Sequence, residues 1–125
     1  MDNGIYIGGG TGIADGVIFD GNLIDLNNIE GLPKSWEINI GSNDTVESCL
    51  SPAGMIRKHN ETNKTNIDTL LELSNENSFS SIIDMAIEAF LLLVKNRSQY
   101  FEKRQKTIQT IVIGQRLGQF LEHGD

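Results

Sequence analysis

The most constraining feature of this chain is Ile5 to Asp25, IYIGGGTGIADGVIFDGNLID. A short β-branched and aromatic run, Ile5-Tyr6-Ile7, suits a strand. It meets Gly8-Gly9-Gly10-Thr11-Gly12 at once. Glycine tolerates positive φ and carries no Cβ, so several backbone N–H groups can converge on one concavity. Such a nest binds anions, phosphate above all, and Thr11 adds a hydroxyl donor. The alternative is a tight glycine-rich turn that holds no ligand.

The residues after the glycines narrow the choice. Dinucleotide loops, Walker-type loops and tubulin-like loops all lead directly into a helix. Here two apolar runs flank Asp20-Gly21. Asp-Gly between such runs predicts a hairpin, because both turn positions favour positive φ. Strand, glycine-threonine loop and hairpin therefore form one unit over about residues 4–26. Asp15 lies between loop and hairpin. It would either touch a magnesium-bound phosphate or bond the loop's own amides.

Ile7 to Ile13 and the hairpin Gly16-Val-Ile-Phe-Asp-Gly-Asn-Leu resemble the second phosphate loop of the sugar-kinase branch of the actin/hexokinase/Hsp70 superfamily, ROK-type kinases included. A second match, Ile111-Val-Ile-Gly-Gln-Arg-Leu-Gly118, resembles the segment where these kinases hold adenosine. The resemblance implies that Gly9, Gly10, Thr11 and Gly12 hold the β- and γ-phosphates of ATP. It also implies that Gly114 and Gln115 pass near the adenosine, that Mg2+ arrives with the nucleotide, and that Glu37 contacts a sugar hydroxyl. The chain departs from the family in three places. Gly114 is followed by Gln115 and Arg116 rather than by more glycines. Glu37-Ile38-Asn39 lacks the Gly-His pair of the sugar motif, and the single Cys49 cannot build the family's zinc site.

The family's first phosphate loop and catalytic aspartate belong upstream of these motifs. The 125 residues are accordingly expected to form a single partial domain, part of a C-terminal lobe, with no catalytic residue and no turnover alone. A missing N-terminal lobe or a partner subunit would complete it, and the longest expected helix, in the second half of the chain, is a candidate homodimer face. The fold expected is α/β, a ribonuclease-H-like half with a β-hairpin sheet flanked by helices. The rival reading is a non-catalytic regulatory or structural module of that fold.

A net charge of −7 and a pI near 4.7 argue against nucleic acid as a partner, which wants a basic face. The sequence holds no apolar run long enough for a membrane span and no secretory signal. One cysteine allows no internal disulfide, so a reducing, cytoplasmic setting is expected.

Further along, Leu32-Pro33 breaks regular structure. Trp36 to Ile40 alternates like a half-buried strand, with Trp36 in core or rim packing. Thr45 to Leu50 predicts a helical turn, and Ser51-Pro52 opens a helix that runs to about His59. Residues 60–66 read as a loop and Ile67 to Leu73 as a short helix. The longest helix is expected from Ser78 to about Gln105, its basic end suited to the dipole. The run Ala89 to Val94 within it should be buried on more than one side. Ile108 to Ile113 predicts a strand with a parallel neighbour. Gly114 would then share a crevice with the Gly8–Gly12 loop.

Overall fold

A computed structural model describes residues 2–9, 12–26, 29, 31–41, 43–77 and 79–114. Strand β1 (Gly4–Gly9) turns Ile5 and Ile7 into the core and Tyr6 outwards, as the two-residue period of a strand requires. It pairs antiparallel with β2 (Ile13–Phe19), which sets Ile5 opposite Val17 and Ile7 opposite Asp15. Asp20 and Gly21 make the turn with φ of 49° and 81°, the mirror-image geometry that matches strand twist. The turn is pinned from outside. Asn3 Oδ1 accepts from the Asp20 N–H at 2.9 Å, and the Asp2 carbonyl accepts from the Gly21 N–H at 2.8 Å. Strand β3 (Asn22–Leu23) closes the hairpin.

The next connection departs from expectation. Residues 35–37 form a 3-10 turn, and only Asn39–Ile40 (β4) is extended, pairing with Asp44–Thr45 (β5). Glu37 Oε1 accepts the Lys34 N–H at 2.9 Å. That local bond draws the backbone into a turn where side-chain alternation alone suggests a strand. Trp36 is consequently 54% exposed rather than packed in the core.

Helix α1 (Val46–Leu50) opens on a reciprocal cap. Thr45 Oγ1 accepts from the Ser48 N–H at 3.1 Å, and Ser48 Oγ accepts from the Thr45 N–H at 2.9 Å. Helix α2 (Pro52–Asn63) is capped by Ser51 and outlasts the predicted end at His59. Asn60 is the reason. Its side chain brackets Ile67, accepting that residue's N–H at 3.1 Å and donating to its carbonyl at 3.0 Å. The polar segment is thus tied to a helical residue. Helix α3 (Leu70–Ser74) starts later than expected because Thr69 is its cap.

Helix α4 (Phe79–Glu102) is the long element. Ile82, Ile83, Ala86, Ala89, Leu93, Arg97, Tyr100 and Phe101 are buried at steps of three and four. In the run Ala89 to Val94, Ala89 and Leu93 are buried and Phe90, Leu92 and Val94 pack partly against the core, which leaves only Leu91 exposed. Ser78, the expected first residue of this helix, lies outside the described residues. After α4 the chain enters β6 (Thr110–Ile113), which pairs parallel with β1, as predicted. The sheet order is β3-β2-β1-β6. This is the mixed α/β half-fold expected from the sequence. Among the described residues, no helix is long and apolar enough to cross a membrane.

One buried ion pair ties the layers together. Arg97 is 0% exposed. Its Nε and Nη2 donate to Asp15 Oδ2 at 3.0 and 2.8 Å, and Nη1 donates to the Pro33 carbonyl at 2.6 Å and to Asn96 Oδ1 at 2.8 Å. Asp15 Oδ2 is thus committed to the Arg97 guanidinium. Phe19 packs beside this pair against Tyr100 and Phe101, with ring centroids 5.7 and 5.4 Å away.

This packing sets the cost of breaking the pair. Asp15→Asn removes one partner of a desolvated pair and should cost about 3–5 kcal/mol. Asp15→Leu combined with Arg97→Met should recover much of that loss in denaturant melts. Burial pushes the Cys49 thiol up. Its stability contribution is present below the ordinary thiol range and is lost as pH climbs from there through the raised value. Alkylation of Cys49 should run at least about tenfold slower in the native chain than in urea.

Candidate nucleotide site

Gly9 pairs with Ile13 across the β1–β2 ladder, so Gly10, Thr11 and Gly12 connect two antiparallel strands. The glycine run thus leads into a hairpin and not into a helix, as the sequence suggested. Gly10 and Thr11 themselves lie outside the described residues.

The run stands at the carboxyl end of β1. Gly114 stands at the carboxyl end of the parallel strand β6 and donates its N–H to the Ile7 carbonyl at 2.8 Å. A Cβ on Gly114 would come within 3.0 Å of the Gly8 Cα and of the Tyr6 hydroxyl oxygen. That clearance is tighter than side-chain contacts normally allow, and only glycine fits there without a shift. Gly8 and Gly114 therefore lie side by side where ligands bind in open α/β sheets. Tyr6, a plain strand residue by sequence, lays its half-exposed ring over both glycines.

A carboxylate reaches the loop from α1. Glu47 Oε1 accepts the Ile13 N–H at 3.2 Å and would stand 3.1 Å from a Cβ on Gly12. Sequence reasoning missed this residue. Its only signal is an acid in the first turn of a short helix, and nothing local relates it to a loop 34 positions earlier.

No family model matches the sequence, and no curated protein matches it. Solved structures do. The ROK hexokinase of Thermus thermophilus aligns over 98% of this chain and 46% of its own, with a TM-score of 0.67 at 12% identity. A ROK family protein of Streptococcus pneumoniae TIGR4, in complex with sucrose, aligns over 99% and 46%, with a TM-score of 0.55 at 18% identity. The chain has the fold of a ROK/hexokinase-like lobe. It spans about half the length of those two proteins.

Within this fold the sequence-derived candidates separate. Gly9, Gly12 and Gly114 converge on one end of the sheet. Gln115 lies outside the described residues. Glu37 is exposed, with its carboxylate turned back on Lys34, whose N–H it accepts and whose Nζ lies 3.9 Å away. His59 is buried, with its Nδ1 2.9 Å from Thr65 Oγ1. Among the described residues, no three His, Cys, Asp or Glu side chains are grouped to hold a metal.

The loop contact can be tested directly. Glu47→Ala leaves the Ile13 N–H without its acceptor and should cost about 1 kcal/mol, with faster hydrogen exchange at that amide. Glu47→Gln keeps an acceptor oxygen and should stay close to the parent in both readings.

Proposed function

We propose that this chain is the nucleotide-gripping lobe of a kinase that transfers phosphate from ATP to a sugar or related small molecule. The observation that carries the reading is the juxtaposition of Gly8 and Gly114, at the carboxyl ends of two parallel strands, beside a glycine-threonine hairpin loop. In this role Gly9, Gly10, Thr11 and Gly12 offer backbone N–H groups to the phosphates. Gly114 and Gln115 flank the adenosine, and the loop glycines, which carry no Cβ, let the phosphates approach the backbone.

The donor set fits a magnesium nucleotide better than a bare phosphate. Glu47 holds a negative charge against Gly12 and Ile13, and the chain as a whole carries −7. An unaccompanied phosphate meets repulsion there, which a divalent cation offsets. Phosphoryl transfer is mainly positioning and charge stabilisation. This lobe supplies positioning, and an N-terminal lobe outside these residues, or a partner subunit, supplies the acceptor's base. The isolated chain is accordingly proposed to bind and not to turn over.

A second reading, a non-catalytic dimerisation module of the same fold, is favoured by one feature. Ile111, Val112 and Ile113 on β6 are all exposed, and an uncovered apolar strand tends to pair with another chain.

Calorimetry with ATP separates the two. The parent chain should bind ATP more tightly with Mg2+ than without it. The double variant Gly10→Ala, Thr11→Val should weaken the magnesium complex by at least about tenfold. Equal binding by parent and variant would overturn the loop assignment, and sedimentation of a concentration-dependent dimer that ignores ATP would favour the second reading.

A further inference from the structure

A cavity of about 460 Å³ opens beside the last turns of α4. That volume falls within the range of small-molecule sites, about 300–1,000 Å³. The connection after the hairpin contributes Gly31 and Pro33 to its lining, and the end of α4 contributes Asn96, Gln99, Lys103 and Arg104. Three acceptors here are already occupied by arginines. The Pro33 carbonyl and Asn96 Oδ1 accept from Arg97 Nη1 at 2.6 and 2.8 Å, and the Tyr100 carbonyl accepts from Arg104 Nη1 at 3.0 Å. The bond to Arg97 orients the Asn96 amide and leaves its Nδ2 as the free end. Arg104 is held over the Tyr100 ring, its guanidinium carbon 3.6 Å from the ring centre. Among the described residues, no carboxylate lines the cavity, and neither Lys103 nor Arg104 makes an ion pair.

A basic helix end often answers the helix dipole, but this end is closed by backbone. Gln105, at φ 60°, donates its N–H to the Glu102 carbonyl at 3.0 Å, and the Lys106 N–H reaches the Phe101 carbonyl at 2.9 Å. Those carbonyls are satisfied without Lys103, and the cap uses a single donor of Arg104. In a chain with 17 acidic and 10 basic residues, two cations without carboxylate partners at one cavity call for an anion.

We propose that this cavity binds a phosphate monoester, with Lys103 and Arg104 as its cations and the Asn96 and Gln99 amides as further donors. A phosphoryl dianion presents three acceptor oxygens, which matches a lining whose free groups are donors. The remaining N–H groups of the pre-positioned Arg104 fork take its oxygens, and Lys103 balances the second charge. A carboxylate carries one charge and would leave one cation unmatched. The cavity is larger than a phosphate group, which leaves room for an organic body. The site shares no residue with the glycine loop and does not rest on the kinase reading.

Backbone and side-chain amide NMR of the full chain tests this at constant pH and ionic strength, with inorganic phosphate and glycerol 3-phosphate as probes. Glycerol 3-phosphate should give saturable shifts at Gly31, Lys103, Arg104 and the Asn96 side-chain amide, and inorganic phosphate should compete for the same site. Glycerol and acetate should leave those signals in place. Lys103→Gln combined with Arg104→Gln alters two exposed side chains, so circular dichroism should be unchanged while the dissociation constant rises by at least about tenfold. Lys103→Gln alone, which leaves the Tyr100 contact intact, should raise it by a smaller factor. The loop variant Gly10→Ala, Thr11→Val should bind like the parent at this cavity, whatever it does to ATP. Shifts that do not saturate, equal shifts with acetate, or an unchanged affinity in the double variant would each overturn the site.

Discussion

The buried pair between Asp15 and Arg97 is the constraint on which the rest of the structure depends. Asp15 sits mid-strand on β2, facing Ile7 across the ladder, where an unpaired carboxylate would oppose burial. Arg97 sits on α4, 82 positions away, with no exposure of its own. Neither charge is tolerable in the core without the other. The guanidinium also holds the Pro33 carbonyl, so one side chain joins the hairpin, the irregular connection and the long helix. Its planar fork can serve three acceptors at once, which a lysine could not do.

With α4 pinned to β2, the chain leaving the helix returns to the free edge of β1. The parallel pairing of β1 and β6 brings Gly114 against Gly8. Two glycines separated by most of the chain then share one end of the sheet. The close approach leaves no room for a Cβ at Gly114, and the Tyr6 ring fills the place of one at Gly8. The lobe's proposed binding end is therefore a product of the same packing that buries Arg97.

Charge gives this end a particular character. Glu47 is held against the loop by the cap geometry of α1, which turns the first helical turn toward β2. Under the proposed nucleotide reading, this carboxylate beside the loop would make a cation part of the ligand, so magnesium dependence would come from the protein as well as from the nucleotide. On the neighbouring stretch of β2 the surface changes to Leu23 and Trp36 with a charged rim.

Much of this was legible in the amino-acid sequence, where the signal was local. Asp20-Gly21 determined a hairpin because two consecutive residues accept positive φ. Ser51-Pro52 determined a helix start, and the steps from Ile82 to Phe101 determined the buried stripe of α4. The glycine run and its hairpin pointed to the sugar-kinase fold that the structural neighbours share. Short-range bonds from side chains were harder to read. Glu37 turned an alternating segment into a 3-10 turn, and Asn60 lengthened α2. Three features were decided only by tertiary structure: the partner of Asp15, the reach of Glu47 to the loop, and the gathering of Leu23 and Trp36 around one cavity. Each joins residues far apart in the chain, and a partner chosen by packing leaves no mark in the spacing of residues along it.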